Sequence, residues 1–388
     1  MHSPAPLPAA ALAAWQAACL SAGCPALLPA ERVALADAVG RVTAEAVVAL
    51  RSSPAHEAAA MDGIAVRAAD TLTRRLAAGA YDVVDTGDAI PAGRDAVVVR
   101  EHVVQDGGSA VLREAVPPGR HVRAVGEDVR AGEELLPGGH RLRPVDVAWA
   151  AGAGHAQLLV RRRPHVVVIP TGDEVLPVGS VPGPGEVVDS NSLMLVGQAV
   201  EAGCTAEAVA VVPDQPVLLA AALHTACATA DLVVVGAGSS AGRDDHTAAV
   251  IAALGELVVQ GVAVRPGHPV VLGVVDRTPV LGAPGYPVST ALTFDLLAVP
   301  LLAALVGAPV PQRPRVVARL TAPLVSPVGA DDWVRLALAR TLGGPFATVL
   351  RGGAGALSSL ARADALLLVP AGVAGHAEGD PVEVELLR

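Results

Sequence analysis

Glycine, serine and acidic residues are concentrated in one ten-residue segment, 236–245, between an apolar run and a helical pattern. Its glycines allow the backbone to approach an anion, its serines add donors, and the following helix N-terminus points its amides there. The adjacent Asp244 and Asp245 suit Mg²⁺ carried on a phosphate, or a ribose hydroxyl. A plain Gly/Ser turn and a pair of helix-capping carboxylates are the structural alternatives.

Charged and hydroxyl side chains also cluster in later turns. Residues 265–269 read Arg-Pro-Gly-His-Pro, so Arg265 and His268 could clamp an oxyanion or lie on a solvated surface turn. The segment 284–289 ends in Ser289, which could simply cap a helix. Near the start of the chain Asp62 precedes Gly63, a pair that is first of all typical of a turn. Residues 86–91 and 123–128 are equally ambiguous by themselves.

The elements that must position these loops alternate between strands and helices from residue 165 onward. The run 166–169 is apolar throughout, which indicates a strand buried on both faces of a parallel sheet. Ligands bind beyond the carboxyl ends of such strands, where residues 171–174, 236–245 and 282–287 would lie. The pattern predicts strands at 166–169, 206–212, 232–235, 270–275 and 279–281, and helices at 192–202, 217–228, 247–254 and about 289–306, on both faces of the sheet. Ser190 or Asn191 would cap the first of these helices.

Three regions follow from the changes in pattern. Residues 1–163 contain short Val-rich runs separated by turn clusters, which predicts a β-rich region with irregular connections. The arginine triplet at 161–163 and Pro164 mark a boundary before the α/β domain, 164–306. A linker with three prolines at 307–314 then precedes residues 315–388, whose alternating strands predict a small β domain.

Composition excludes several classes of function. The chain has 388 residues, of which 52% are hydrophobic and 17% charged, so it can bury large cores. Its net charge of −10 and 2% aromatic content disfavour a nucleic-acid partner. All 28 basic residues are arginine. The absence of lysine excludes a P-loop lysine, a Schiff-base lysine and a lysine general base.

Cysteine spacing and the N-terminus indicate the compartment. The 4 cysteines lack zinc-site spacing and are too few for a disulfide framework, which favours a reducing environment. No basic residue precedes Arg32, so a secretory signal is not indicated, and residues 10–20 predict a short helix instead. The apolar stretch 296–310 is short and interrupted by prolines and glycines. We therefore expect a cytoplasmic protein without a membrane partner.

Nine segments taken in order form a recognisable pattern. The chain resembles the molybdopterin molybdenumtransferases, the MoeA/gephyrin E-domain family. The matching segments span nearly the whole sequence: residues 61–63, 86–97, 123–128, 171–175, 189–192, 238–242, 265–269, 284–289 and 353–363.

The resemblance implies an α/β and β multidomain protein. A three-layer molybdopterin-binding α/β domain would be flanked by an irregular β-rich N-terminal region of two subdomains and by a small C-terminal β-barrel. The implied reaction is transfer of molybdate to adenylylated molybdopterin, giving molybdenum cofactor and AMP, with Mg²⁺ as the divalent metal. The implied assembly is an elongated homodimer whose active-site cleft lies between subunits. An upstream adenylyltransferase is the implied protein partner.

The resemblance also implies roles for individual residues. The catalytic acids would be Asp62, Asp128, Glu174 and Asp245, of which Glu174 and Asp245 would hold the metal. Molybdate would lie against Arg265, His268, Ser289 and Arg335. The molybdopterin and nucleotide site would comprise Thr86, Arg123, Thr171, Gly172, Asp173, Asn191, Ser192, Gly238, Ser239, Ser240, Pro284 and Gly285.

Several positions depart from the family pattern. Arg265 and His268 stand where the family usually has two lysines, Tyr286 replaces an asparagine, and Ala354 replaces a serine. The lost lysines favour an alternative function, a non-catalytic carrier of molybdopterin or finished cofactor, or a tungstate-handling paralogue. The retained acids favour the enzyme, because a carrier has no evident need for metal-binding carboxylates.

Overall fold

The computed structural model describes residues 5–236, 246–341 and 344–387. The chain divides into two compact units. One comprises residues 1–29 and 161–388, and the other comprises residues 30–160. The first unit includes the N-terminal helix α1, Pro8–Ser21, as the sequence predicts. Trp15 on this helix is fully buried and donates its indole N–H to the Gly273 carbonyl at 2.8 Å.

The unit of residues 30–160 consists of short strands and one α-helix, α2, Pro144–Gly152. Its principal sheets are a three-stranded β6-β4-β7 sheet and a three-stranded β5-β9-β8 sheet. The glycines at 107 and 108 form the turn that joins β8 to β9 as a hairpin. Short 3-10 helices cover Leu35–Asp37, Ala68–Thr73 and Arg100–His102. The strands β1 to β12 are Ala30–Ala34, Val47–Val48, Ala58–Ala59, Gly63–Val66, Arg75–Leu76, Tyr81–Val84, Ala96–Val99, Val103–Asp106, Ser109–Leu112, Val122–Arg123, Glu134–Leu136 and Gln157–Arg161.

The other unit contains a six-stranded α/β sheet in the order β16-β13-β17-β21-β20-β18. The strands β13 to β21 are His165–Pro170, Val175–Leu176, Val187–Val188, Thr205–Ala208, Leu232–Gly236, Gly255–Gln260, Val264–Arg265, Val271–Val275 and Thr278–Ala283. The helices α3 to α7 are Asn191–Glu201, Pro216–Cys227, Thr247–Leu254, Pro287–Thr293 and Val299–Leu305, with a π-helical turn, Phe294–Ala298, before α7. The alternation of strands and helices is confirmed.

The sheet is mixed rather than uniformly parallel. Strands β16, β13, β17 and β21 run parallel, as predicted, whereas β20 and β18 are antiparallel to their neighbours. The reversal occurs at the two-residue turn Asp276-Arg277, where both residues have positive φ, 47° and 63°. Strand β18 is absent from the sequence prediction, because Gly255 follows helix α5 directly and no turn cluster announces a new element.

The packing of the hydrophobic core explains why the strands are continuous apolar runs in the sequence. Val167, Ile169, Val233 and Val235 pack with residues of α4 and α5 on one face. Successive side chains of a strand point to opposite faces. Helices α1, α3 and α6 also contact this sheet. Burial on both faces therefore replaces the alternation expected of a sheet with one solvated face.

The C-terminal part of the same unit is a closed five-stranded barrel. Strands β24, β25, β22, β28 and β26 form the ring, which β24 and β26 close, and the short strand β19 pairs with β24. The strands β22 to β28 are Arg315–Leu320, Leu324–Val325, Asp331–Thr341, Gly344–Val349, Ala365–Val369, Gly375–His376 and Pro381–Leu386, and helix α8 is Leu357–Ala361. The predicted small β-barrel is confirmed.

One helical stretch, Pro287–Leu305, is long and apolar enough to cross a membrane by length and composition alone. It begins well before the apolar segment predicted at 296–310. Of its most apolar window, 72% is buried inside the protein. Burial of that extent is the pattern of a core helix.

Candidate active site

A cavity lies at the carboxyl ends of β13, β17 and β21, where the topology of a parallel sheet predicts a ligand site. Its volume is about 260 Å³. Four residues of the predicted molybdopterin site line it together: Thr171, Asn191, Ser192 and Gly285. The other lining residues are Pro170, Val175, Val187, Val188, Asp189, Ser190, Leu195, Gly236, Tyr286, Pro287 and Gly355.

Hydrogen bonds across the cavity wall fix these residues. Thr171 is buried, and both its backbone N–H and its Oγ1 donate to the Gly236 carbonyl, at 2.8 and 3.0 Å. Asn191 Nδ2 donates to the Gly285 carbonyl at 2.8 Å. The first two bonds join the ends of β13 and β17, and the third joins the segment after β21 to the start of α3.

The N-terminus of α3 contributes three residues to the cavity, Ser190, Asn191 and Ser192. The carboxylate of Asp189 accepts the Ser192 backbone N–H at 3.0 Å. Asp189 therefore performs the capping that the sequence assigns to Ser190 or Asn191. The first-turn N–H groups and the helix dipole create a positive potential suited to an anion.

Sequence reasoning missed two residues that approach the cavity from far along the chain. Gly355, which precedes α8, lies beside Tyr286, and an added Cβ there would be 3.2 Å from the tyrosine ring. The only sequence signal for these two residues was that both lie in segments that resemble the molybdopterin molybdenumtransferases. Their contact depends on how the barrel packs against α6, which no local pattern encodes.

The predicted acids after β13 occupy a constrained turn. Glu174 is half-buried, and its backbone carbonyl accepts the Val187 N–H at 2.9 Å. Gly172 has φ of +137°, and a Cβ there would lie 2.7 Å from Glu174 Oε2. The exposed Asp173 receives the Asp214 backbone N–H on its Oδ1 at 3.2 Å. The predicted Pro284 is buried, and its carbonyl accepts a hydrogen bond from the Thr290 hydroxyl.

Four predicted residues, Gly238, Ser239, Ser240 and Asp245, lie outside the described residues. Gly236, which directly precedes this segment, lines the cavity. Within the described ranges, no group of three or more His, Cys, Asp or Glu side chains could hold a metal ion. The predicted metal pair of Glu174 and Asp245 has one member outside these ranges.

A second cavity of about 280 Å³ lies between α3, α6 and the barrel. Arg335 and Pro266 both line it. Arg335 Nε donates to Ser359 Oγ at 3.1 Å, and its Nη2 donates to the Gly352 carbonyl at 2.6 Å. Burial lowers the pKa of the Arg335 guanidinium from its usual value. Two fixed donors hold this cation in one orientation.

The other predicted molybdate residues are Arg265, His268 and Ser289. Each is close in sequence to a residue that lines this cavity, but none of the three lines it. Arg265 is exposed, with Nη1 at 3.4 Å from the Pro327 carbonyl. His268 Nδ1 lies 2.8 Å from the Val262 carbonyl, so this nitrogen must carry a proton. Ser289 is only 3% exposed and lies inside the first turn of α6. Its prediction as a helix cap is wrong, because the helix begins at Pro287, which lacks the N–H that a helix interior requires.

The predicted acids of the unit 30–160 have defined partners within that unit. Asp62 Oδ1 accepts both the backbone N–H and the hydroxyl of Thr86, each at 2.8 Å. These hydrogen bonds hold the pKa of the Asp62 carboxyl below its usual value. Arg123 forms an ion pair with Glu127, with 3.3 Å between Arg123 Nε and Glu127 Oε1. Asp128 is exposed and donates its backbone N–H to the Ser53 carbonyl. The structure thus brings Asp62 and Thr86 together.

Three protein families match consecutive parts of the chain. They are the MoeA N-terminal region (domain I and II) at residues 9–154, a probable molybdopterin binding domain at 167–304, and the MoeA C-terminal region (domain IV) at 317–387. The order agrees with the three regions of the sequence.

Relatives and solved structures resemble the chain over most of its length. Molybdopterin molybdenumtransferase 2 of Mycobacterium tuberculosis is 35% identical over 91% of this chain and 94% of its own. Molybdopterin molybdenumtransferase of Bacillus subtilis is 30% identical over 92% of this chain and 90% of its own. A crystal structure of the molybdopterin biosynthesis MoeA protein from Pyrococcus horikoshii has a TM-score of 0.82 at 29% identity, covering 99% of this chain and 100% of that one. The chain therefore belongs to the MoeA family.

Proposed function

We propose that this chain is a molybdopterin molybdenumtransferase, which inserts molybdate into adenylylated molybdopterin and releases AMP. The observation that carries the proposal is the cavity at the carboxyl ends of β13, β17 and β21, where Thr171, Asn191 and Gly285 meet. Relatives with that name align over nine-tenths of the chain, at 91% and 92% coverage. They do not favour the alternative of a non-catalytic carrier.

This cavity suits the nucleotide and pterin parts of the substrate. The N-terminus of α3 provides the N–H groups and positive potential that attract the adenylyl phosphate. Val175, Val187 and Leu195 supply apolar walls for a ring system. We assign Gly238, Ser239 and Ser240 to the phosphate as well, on their glycine and hydroxyl chemistry.

The proposed metal is Mg²⁺, held by Glu174 and Asp245. Two carboxylates fit this ion, because Mg²⁺ is usually bound through one or two carboxylates together with substrate phosphates and water. A Cβ added at Gly172 would lie 2.7 Å from Glu174 Oε2, so only glycine leaves room for the carboxylate in this position. When bound, Mg²⁺ would neutralise negative charge on the phosphate. Asp62 and Asp128 are proposed as the remaining acids of the site.

Molybdate is proposed to bind Arg265, His268, Ser289 and Arg335. The fixed guanidinium of Arg335 beside Pro266 supports this assignment, because a preorganised cation binds an oxyanion without reorganisation. His268 donates its Nδ1 proton to the Val262 carbonyl, so Nε2 is the ring nitrogen that remains to bind the anion. Arginine keeps the charge that the family's lysine supplies.

We further propose a cytoplasmic homodimer that receives its substrate from an adenylyltransferase. The resemblance of both the Asp62–Asp128 region and the α/β loops to a family with shared sites supports the dimer. Light scattering at micromolar concentration tests this proposal. A monomer would refute it.

Reconstitution tests the activity itself. Purified protein, adenylylated molybdopterin, molybdate and Mg²⁺ should release AMP and activate an apo-molybdoenzyme. Glu174→Gln should abolish AMP release, whereas the exposed control Glu207→Gln should retain it. Activation of the molybdoenzyme from pre-formed cofactor without AMP release would instead identify a carrier.

A further inference from the structure

The C-terminal end of helix α1 places Cys19 and Cys24 side by side. The Cys24 N–H donates to the Cys19 carbonyl at 2.9 Å, and the Gly23 N–H donates to the Leu20 carbonyl at 3.1 Å. Gly23 has φ of +79°. These bonds and this left-handed residue define a Schellman motif, in which the third residue from the helix end commonly contacts the residue that follows the left-handed glycine. Those two positions are Cys19 and Cys24, so the motif brings the two cysteine side chains together.

The surroundings make the two thiols unequal. The hydrogen bond from Cys19, with a smaller contribution from the positive charge of Arg277, lowers the pKa of Cys24. The same hydrogen bond, together with burial, raises the pKa of Cys19. Arg277 is held at this point because its Nε and Nη2 donate to the Gly23 carbonyl at 2.9 and 2.8 Å. Cys24 is therefore the thiol that becomes a nucleophile.

We propose that Cys19 and Cys24 form a reversible thiol–disulfide site that reacts with small-molecule disulfides of the glutathione type. The Cys24 thiolate attacks one sulfur of the disulfide, forms a mixed disulfide and releases one thiolate. Cys19 loses its proton to solvent, attacks the Cys24 Sγ and displaces the second thiolate. Two protein thiols are oxidised by two electrons, and one small disulfide is reduced to two thiols.

The first step prepares the second. Hydrogen bonding to Cys24 and the charge of the Cys24 thiolate both raise the pKa of Cys19. Both effects disappear once the Cys24 sulfur is in a mixed disulfide. Cys19 then ionises more readily and forms the disulfide with Cys24.

Access to the site requires only a local opening. Cys19 and Cys24 are 5% and 7% exposed, but Ser21, Gly23 and Pro25 around them are exposed. Helix ends open with little free energy compared with global unfolding. The disulfide would join the last turn of α1 to the chain that follows, and so restrict this opening.

Thiol counting by intact mass tests the proposal on the full-length protein. The native protein is incubated with glutathione disulfide, then denatured and alkylated with N-ethylmaleimide. The reduced protein has 4 thiols and should take up one adduct per cysteine. The oxidised protein should keep only the adducts on Cys204 and Cys227. The proteolytic peptide that ends at Arg32 contains both reacting cysteines, and after oxidation it should be two hydrogens lighter than its reduced, unalkylated form.

Two variants provide matched controls. In the double variant Cys204→Ser/Cys227→Ser, oxidation should still remove both remaining thiols, because the pair at the helix end is intact. In Cys19→Ser, the reaction should stop at a glutathione adduct on Cys24. A full set of wild-type adducts after oxidation would refute the proposal, as would a persistent glutathione adduct on the wild type. Formation of the disulfide only in denaturant would also refute it, since the folded geometry would then play no part.

Discussion

Replacing Gly172 by alanine tests whether the turn after β13 is shaped around the Glu174 carboxylate. Gly172 has φ of +137°, a region that is essentially restricted to glycine. A Cβ built there lies 2.7 Å from both Glu174 Oε2 and Val175 Cγ2. Because real Cβ atoms do not approach other heavy atoms so closely, alanine must displace the carboxylate, the valine or the backbone.

Two effects set the expected magnitude. Backbone strain at such a φ is about 1–3 kcal/mol, and overpacking adds about 1–3 kcal/mol. Glu174 is half-buried and can partly relax, so we expect Gly172→Ala to lower the free energy of unfolding by about 2–4 kcal/mol. Gly185 is the matched control, with φ of +87° and, in the described part of the chain, no atom within 4 Å of an added Cβ. Gly185→Ala should lose about 1–2 kcal/mol, from backbone strain alone.

Denaturant unfolding of both variants measures the difference, and AMP release measures its consequence. Gly172→Ala should release AMP at least tenfold more slowly than wild type under conditions where it is folded, while Gly185→Ala should remain close to wild type. Equal destabilisation by the two substitutions would refute the overlap with Glu174 and Val175. Wild-type AMP release by a destabilised Gly172→Ala would show that the position of the Glu174 carboxylate is not used in the reaction.

Three further predictions concern other parts of the molecule. Asp189→Ala should destabilise the protein by about 1 kcal/mol in denaturant unfolding, because α3 loses its cap. The same variant should raise the KM for adenylylated molybdopterin. Asp189→Asn should retain most of the stability. Arg335→Met should raise the KM for molybdate at least tenfold, measured by molybdate titration of turnover, with little change in the melting temperature. Hydrogen bonds with Arg143 are the main reason that the pKa of the buried Asp146 is well below its usual range. The ionised carboxylate therefore stabilises the fold above about pH 4, and this stabilisation is lost as the pH falls toward the pKa of the folded state. Acid unfolding curves of Asp146→Asn should therefore be flatter below about pH 4 than those of wild type.

Much of the α/β domain could be predicted because its signals are local. Helix Thr247–Leu254 agrees with the sequence prediction at both ends. The cavity followed from topology, since parallel strands bring their carboxyl ends to one edge. Strand Gly255–Gln260 could not be predicted, because it begins directly after helix Thr247–Leu254 with no turn between them, and its partner β20 follows only after the connection 261–270. The contact between Gly355 and Tyr286 was equally inaccessible, since it joins two domains of different pattern.

The hydrogen bonds between Thr86 and Asp62 give a last prediction, on the ionisation of a proposed catalytic acid. Both Thr86 donors bind Asp62 Oδ1 at 2.8 Å, and the backbone N–H and then the hydroxyl lower the pKa of this carboxyl. Thr86→Val removes only the hydroxyl donor, so the pKa of Asp62 should rise toward its ordinary value, and Thr86→Ser should restore it. If turnover requires the Asp62 carboxylate ionised, the acid limb of the pH–rate profile should move to higher pH in Thr86→Val alone. Carboxyl NMR titration of Asp62 measures the pKa directly. An unchanged Asp62 pKa would refute the hydrogen-bond argument, whereas a raised pKa with an unchanged acid limb would remove Asp62 from the catalytic acids.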